Sequence, residues 1–163
     1  MPKQSGCLFA IFKLFSPAPK SAATNYPYRK NESLLTAAER SFFGVLNEAV
    51  VGRLLIFAKV RLTDLIATPS GIDGWQSHQN KIQSKHVDFV LCTRDTVAPL
   101  LCIELDDASH KRQKRIDRDA FLDGAPTAAG LPLLHVPAAR AYNVANIKQQ
   151  LDGLLSPPPT SKH

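Results

Sequence analysis

Long hydrophobic runs are missing from this 163-residue chain. The longest, residues 7–15, spans nine positions and includes Lys13, against the ~20 that a membrane-crossing helix requires. No span is expected, and no small-residue cleavage site clearly follows, so a secretory leader is not the expectation. Cysteine is scarce too. Three residues with no paired spacing exclude a disulfide scaffold and a C-x-x-C zinc module. Cys92 and Cys102 sit inside apolar stretches and read as buried thiols of a reducing compartment, so a cytoplasmic location is expected. No internal repeat is visible, and the composition excludes a collagen, a coiled coil and a multi-span membrane protein. What remains is the composition of an ordinary globule, 44% hydrophobic and 21% charged with a mean hydropathy of −0.12. The length suits one domain.

The net charge of +6 suggests a polyanionic partner, but its distribution tempers that. Residues 1–35 carry five basic side chains against Glu32, whereas residues 36–155 hold 14 basic and 13 acidic ones. An argument for nucleic acid therefore has to come from local clustering in the core. Residues 1–33 read as a basic tail with a short apolar segment and a Pro/Ser/Ala-rich linker, 34–155 as the folded domain, and 156–163 as a disordered C-terminal tail. Membrane association through residues 7–15 is the less favoured use of the apolar segment.

The domain opens with T-A-A-E, in which Thr36 and Glu39 form a capping box. Phe42, Phe43, Leu46 and Val50 follow at helical spacing, predicting a helix over 37–50. The apolar run after Gly52 predicts a strand through 54–62. Residues 67–80 hold Pro69, Gly71 and Gly74 and read as a long loop, with a helical turn near Trp75 and its ring filling the core. Residues 85–92 alternate as a strand, and 99–106 form another across a short turn. A helix is expected from 110 to a Gly130 cap, kinked or ended near Gly124 because Gly124 and Pro126 suit its interior poorly. A short buried strand over 131–136, holding His135, and an Asn143-capped helix complete the order α-β-β-β-α-β-α. This predicts an α/β fold with a mixed four-stranded sheet flanked by helices.

Three carboxylates stand where apolar strands run out: Asp88, Glu104 and Asp106. Glu104 and Asp106 share a strand face, and hairpin pairing brings Asp88 towards them. Glu104 is the most informative, because a carboxylate directly after L-L-C-I needs a reason to be there. Like charges brought together call for a cation. Hard oxygen ligands suit Mg²⁺ or Mn²⁺, which can activate water beside a phosphodiester. None of His78, His86 and His135 has a zinc-ligand spacing.

Asp88 followed by Glu104-x-Asp106 on the second and third strands resembles the PD-(D/E)xK, or restriction-endonuclease-like, nuclease superfamily. The strings I-E-L-D-D-x-S-H, L-L-T-A-A-E-R, K-V-R-L-T-D, S-K-H-V-D-F-V-L-C and A-G-L-P-L-L-H are similar to the domain family of unknown function 2726. The E-x-D-x-x-x-H core is also similar to very-short-patch-repair endonucleases. These resemblances cover about residues 34–140 and imply a restriction-endonuclease-like core. They imply that Asp88 and Glu104, with Asp106, bind metal, and that Glu39 is a supporting helix carboxylate. Asp106 occupies the place of the motif lysine. Lys85, His86, His110, Lys111 and Lys114 are the nearby substitutes, and His110 is the candidate general base or phosphate donor.

The expected helix after Asp106 carries Lys111, Lys114, Arg115 and Arg118 within about a third of its circumference. Such a stripe suits phosphates. Lys111, Lys114 and Arg115 are the candidate nucleic-acid contacts, and Arg118 is expected to point inward to a carboxylate. The functional expectation is a Mg²⁺- or Mn²⁺-dependent nuclease or nuclease-like domain acting on DNA. Its alternative is a catalytically degenerate nuclease fold that binds nucleic acid or a protein, with or without a membrane.

Overall fold

A computed structural model describes residues 26–106 and 113–156, with no side-chain account of 113–120. The α/β unit begins at Ser33. Its first helix, α1 (Ala37–Val50), starts at the expected capping box. The Thr36 hydroxyl accepts from the Glu39 amide at 3.3 Å, and Glu39 Oε2 accepts from the Thr36 amide at 2.9 Å. The helix buries Phe42, Leu46, Ala49 and Val50, one stripe at the helical repeat. Gly52, at φ +68°, turns the chain towards β1 (Leu55–Arg61).

The sheet runs β1-β2-β3-β4. β1 pairs antiparallel with β2 (His86–Cys92), from Leu55 opposite Cys92 to Arg61 opposite His86. β2 pairs antiparallel with β3 (Pro99–Asp106), from Phe89 opposite Ile103 to Cys92 opposite Pro99. The hairpin turn closes with the Thr93 amide donating to the Ala98 carbonyl at 2.9 Å. β3 pairs parallel with β4 (Leu133–Pro137), which the chain reaches through α3 (Gln113–Ala128). The mixed four-stranded sheet is the one the element order predicts.

Strand alternation splits the core. Phe89, Leu91, Leu101, Ile103 and Val136 pack against α1 and α4 (Val144–Leu155), whose Ile147 and Leu151 are buried. Phe42 anchors this layer, with its ring 5.7 Å from Phe89 and 5.1 Å from Tyr142. On the other side Val90, Cys92 and Cys102 pack with Leu62, Ile82, Leu122 and Leu131. Cys92 and Cys102 are free, buried thiols. Burial of this apolar surface is the main stabilising term for both layers.

Three local expectations are corrected. Residues 75–83 are not a loop with one turn but a helix, α2 (Trp75–Gln83), entered through Gly74 at φ +69°. It buries only Ile82, so it leaves no apolar periodicity to read. Trp75 does not fill the core. It is 41% exposed, with its indole N–H donating to the Thr68 carbonyl at 3.2 Å. Thirdly, α3 does not end near Gly124 but runs through it and through Pro126 to Ala128. Pro126 removes a donor from the last turn only, and its ring is buried. The end is a Schellman motif, in which Leu131 N–H donates to Pro126 O and Gly130 N–H to Thr127 O, with Gly130 at φ +79°. The Gly130 and Asn143 caps are as expected: Asn143 Oδ1 accepts from the Asn146 amide at 3.2 Å.

Candidate functional site

The site lies where β2 and β3 part company. Their ladder reaches Phe89 opposite Ile103, and one step further would set Asp88 opposite Glu104. That step is not a regular pair. Instead Asp88 Oδ2 accepts from the Leu105 amide at 3.1 Å, so a side chain replaces the ladder partner. On the other side, the pairs Ala58–Phe89 and Val60–Val87 place Lys59 of β1 opposite Asp88.

Lys59 is unusual in its backbone, at φ +56° within a strand. A β-carbon in this left-handed region clashes with the chain at a cost of about 1–2 kcal/mol. The bend re-aims the strand. Ile56 and Ala58 pack towards α1, whereas Val60, which simple alternation would send the same way, joins the opposite core layer with Leu62 and Val87. The Lys59 ammonium donates to Asp88 Oδ1 at 2.8 Å and to Glu39 Oε1. Glu39 thus uses one oxygen for the helix cap and the other for the ion pair. It is buried, at 8% exposure, as is Asp88 at 9%.

The charges respond accordingly. Burial opposes the ammonium of Lys59, but its bonds to Asp88 and Glu39 prevail and raise it above the ordinary lysine value. Burial likewise opposes ionisation of Glu39, and the Lys59 and Thr36 hydrogen bonds prevail to lower it. For Glu104 the Asp88 backbone, His135 and Lys59 favour the charged form too, but they do not prevail. Glu104 Oε1 is buried with no hydrogen-bond partner among the described residues. Burial, then the like charge of Asp88, pushes Glu104 up to about 8. One ammonium facing two ionised carboxylates leaves a negative balance beside an unsatisfied carboxyl group. That combination attracts a cation.

The other expected residues are placed as follows. Asp106 ends β3, and its Oδ1 lies 3.0 Å from His135 Nδ1 on β4. The opposite ring nitrogen, Nε2, lies 2.9 Å from Asp123 Oδ1 on α3. His135 is therefore not buried as its apolar strand suggested, but 38% exposed and bridging two aspartates. Lys85 stands over the Phe121 ring, 5.4 Å from its centroid. His110 and Lys111 lie outside the described residues, as do the side chains of Lys114, Arg115 and Arg118 on α3. Among the described residues no group of three or more His, Cys, Asp or Glu side chains is arranged to hold a metal ion. Two carboxylates, Asp88 and Glu104, are what the fold brings side by side. No helix among these residues is long and apolar enough to cross a membrane.

Lys59, His135 and Asp123 escaped the sequence reading. The signal for Lys59 was available: a lone cation within L-I-F-A-K-V invites the question raised by Glu104 after L-L-C-I. Asp123 and His135 carry no such mark, because only the parallel crossover brings them together.

Fold and site define an α/β domain with a buried acidic centre at one end of a mixed sheet. A family model described as "Protein of unknown function (DUF2726)" matches residues 31–154, and the chain belongs to this family. No curated protein and no solved structure matches the chain.

Proposed function

We propose that the domain is a divalent-metal-dependent nuclease acting on DNA, a member of the PD-(D/E)xK superfamily with a restriction-endonuclease-like core. The observation that carries this reading is the buried Oε1 of Glu104 beside Asp88, unpartnered among the described residues. An orphaned carboxyl oxygen is costly and rare unless it serves a ligand. Asp88 and Glu104 would hold Mg²⁺ or Mn²⁺. Mg²⁺ is commonly held by one or two carboxylates while it keeps several waters, so two side chains suffice. When bound, such an ion supplies Lewis-acid chemistry, making water a better nucleophile and stabilising the leaving oxygen.

The chain's own groups supply the rest. Lys59 provides the cation that Asp106 does not. Its ammonium, 2.8 Å from Asp88 Oδ1, arrives from β1 instead of the third strand. There it can hold a water or the phosphate oxygen in place and oppose the charge that builds on phosphorus. Glu39 and the Leu105 amide fix the ammonium and the Asp88 carboxylate respectively, so neither reorganises during the reaction. The basic residues at the start of α3, and His110 just before it, are the proposed phosphate contacts.

The test is cleavage of single- and double-stranded DNA in Mg²⁺ or Mn²⁺, with E104Q and K59M beside the parent chain. Metal-dependent cleavage lost in both variants supports the reading. Cleavage retained by E104Q removes the proposed centre. A parent chain that binds DNA without cutting it in either metal favours the degenerate-fold alternative.

A further inference from the structure

His135 engages two acidic side chains at once. Its Nδ1 is 3.0 Å from Asp106 Oδ1 and its Nε2 is 2.9 Å from Asp123 Oδ1. Ionised carboxylates only accept hydrogen bonds, and a neutral imidazole has one N–H. Both bonds are therefore made at once by the imidazolium. Among the described residues, Glu104, the register partner of His135 across the parallel β3–β4 ladder, is a further acidic group facing it.

The bridge joins three elements: the end of β3, the middle of β4 and the second half of α3. Among the described side chains of α3, Leu122 lies in the core layer, Pro126 is buried and Phe121 sits beneath Lys85. Apolar contacts are non-directional. The bridge through Asp123 is directional and ties the second half of the helix to the ends of β3 and β4. Docking matters because α3 carries Lys114 and Arg115, the proposed phosphate contacts.

We propose that His135 is a positioning residue for DNA: a strut that docks α3, the helix carrying the proposed phosphate contacts, against the ends of β3 and β4. The proposal rests on the reading of this sheet end as a DNA-cleaving centre, but the docking of α3 can be measured without DNA or metal. Asp106 thus serves the strut rather than the place of the motif lysine.

The experiment compares the full chain with H135Q, D123A and the double variant. A glutamine cannot reach both aspartates as the charged imidazolium does. Amide hydrogen exchange in 113–128 should rise about tenfold in each single variant, the scale set by removing one charged hydrogen bond. Exchange in β2 and β3 should stay as in the parent. The double variant should be no worse than the singles, since both remove the same bond. Binding to a mixed-sequence DNA duplex should weaken, with the salt dependence flattening by about 0.9 in slope for each phosphate no longer neutralised. Unchanged exchange in α3 overturns the strut, and so does a uniform rise in every element, which marks general destabilisation. Loosened α3 with unaltered DNA binding overturns the positioning role. A parent chain that binds no DNA sinks the nuclease reading, and with it the DNA half of this proposal. Unchanged exchange in variants of a DNA-binding parent sinks the strut alone.

Discussion

Lys59 and Asp88 face each other across the β1–β2 ladder, joined by a 2.8 Å ion pair whose cation sits on a left-handed strand residue. The strain and the pair are two consequences of one placement, and substitution separates them. K59M keeps the backbone cost and leaves Glu39 and Asp88 without their shared cation, so it should destabilise by about 1–3 kcal/mol. K59G loses the same pair but relieves the left-handed β-carbon, and should be about 1 kcal/mol more stable than K59M. Denaturant titration of the two variants checks this. Equal stabilities would mean that the bend at Lys59 costs nothing.

Glu104 makes stability depend on pH in a stated direction. Its folded value, about 8, lies above the ordinary 4.5, so the native state holds a proton that the unfolded chain gives up between these two points. Where the native state binds more protons, stability falls as pH rises. E104Q, which carries no charge to bury, should match the parent below pH 4.5 and be the more stable protein by pH 8. Melting curves from pH 4 to about 8.5 read the difference. A gain that is constant with pH would mean that Glu104 stays ionised in the fold.

At the far end of α3 the prediction concerns shape alone. Gly130 is held at φ +79° by the Schellman bonds that end the helix. Nothing crowds the position of an added β-carbon. G130A should therefore cost about 1 kcal/mol through backbone conformation only, read as a lower denaturation midpoint with an unchanged slope.

The fold was legible because its strong elements announce themselves locally. Thr36 with Glu39 marks the start of α1, the alternation of 85–92 marks β2, and Gly130 marks the end of α3. Helix α2 was not legible, since one buried residue, Ile82, makes no period. The site was half legible. Asp88 and Glu104 are carboxylates inside apolar strands, and burial of a charge is visible in one dimension. Pairing is not. The partner of Asp88 is Lys59, 29 residues away, and that of Asp106 is His135, also 29 away. The first depends on a strand bend and the second on a parallel crossover, and neither leaves a motif. Glu39 shows how one local reading can hide another, because the capping box explains only one of its two oxygens.

Calorimetric titration of the full chain with Mn²⁺ at neutral pH, alongside E104Q and D88N, tests the central claim most directly. That claim is that the buried oxygen of Glu104 and the neighbouring Asp88 form a divalent-cation site. The parent should bind one Mn²⁺ and release a proton, because Glu104 must ionise to ligate. The proton appears as a binding heat that changes with the ionisation enthalpy of the buffer. Both variants should lose the binding. A parent chain that takes up no Mn²⁺ at millimolar concentration, or an E104Q chain that binds it as well as the parent, would contradict the account.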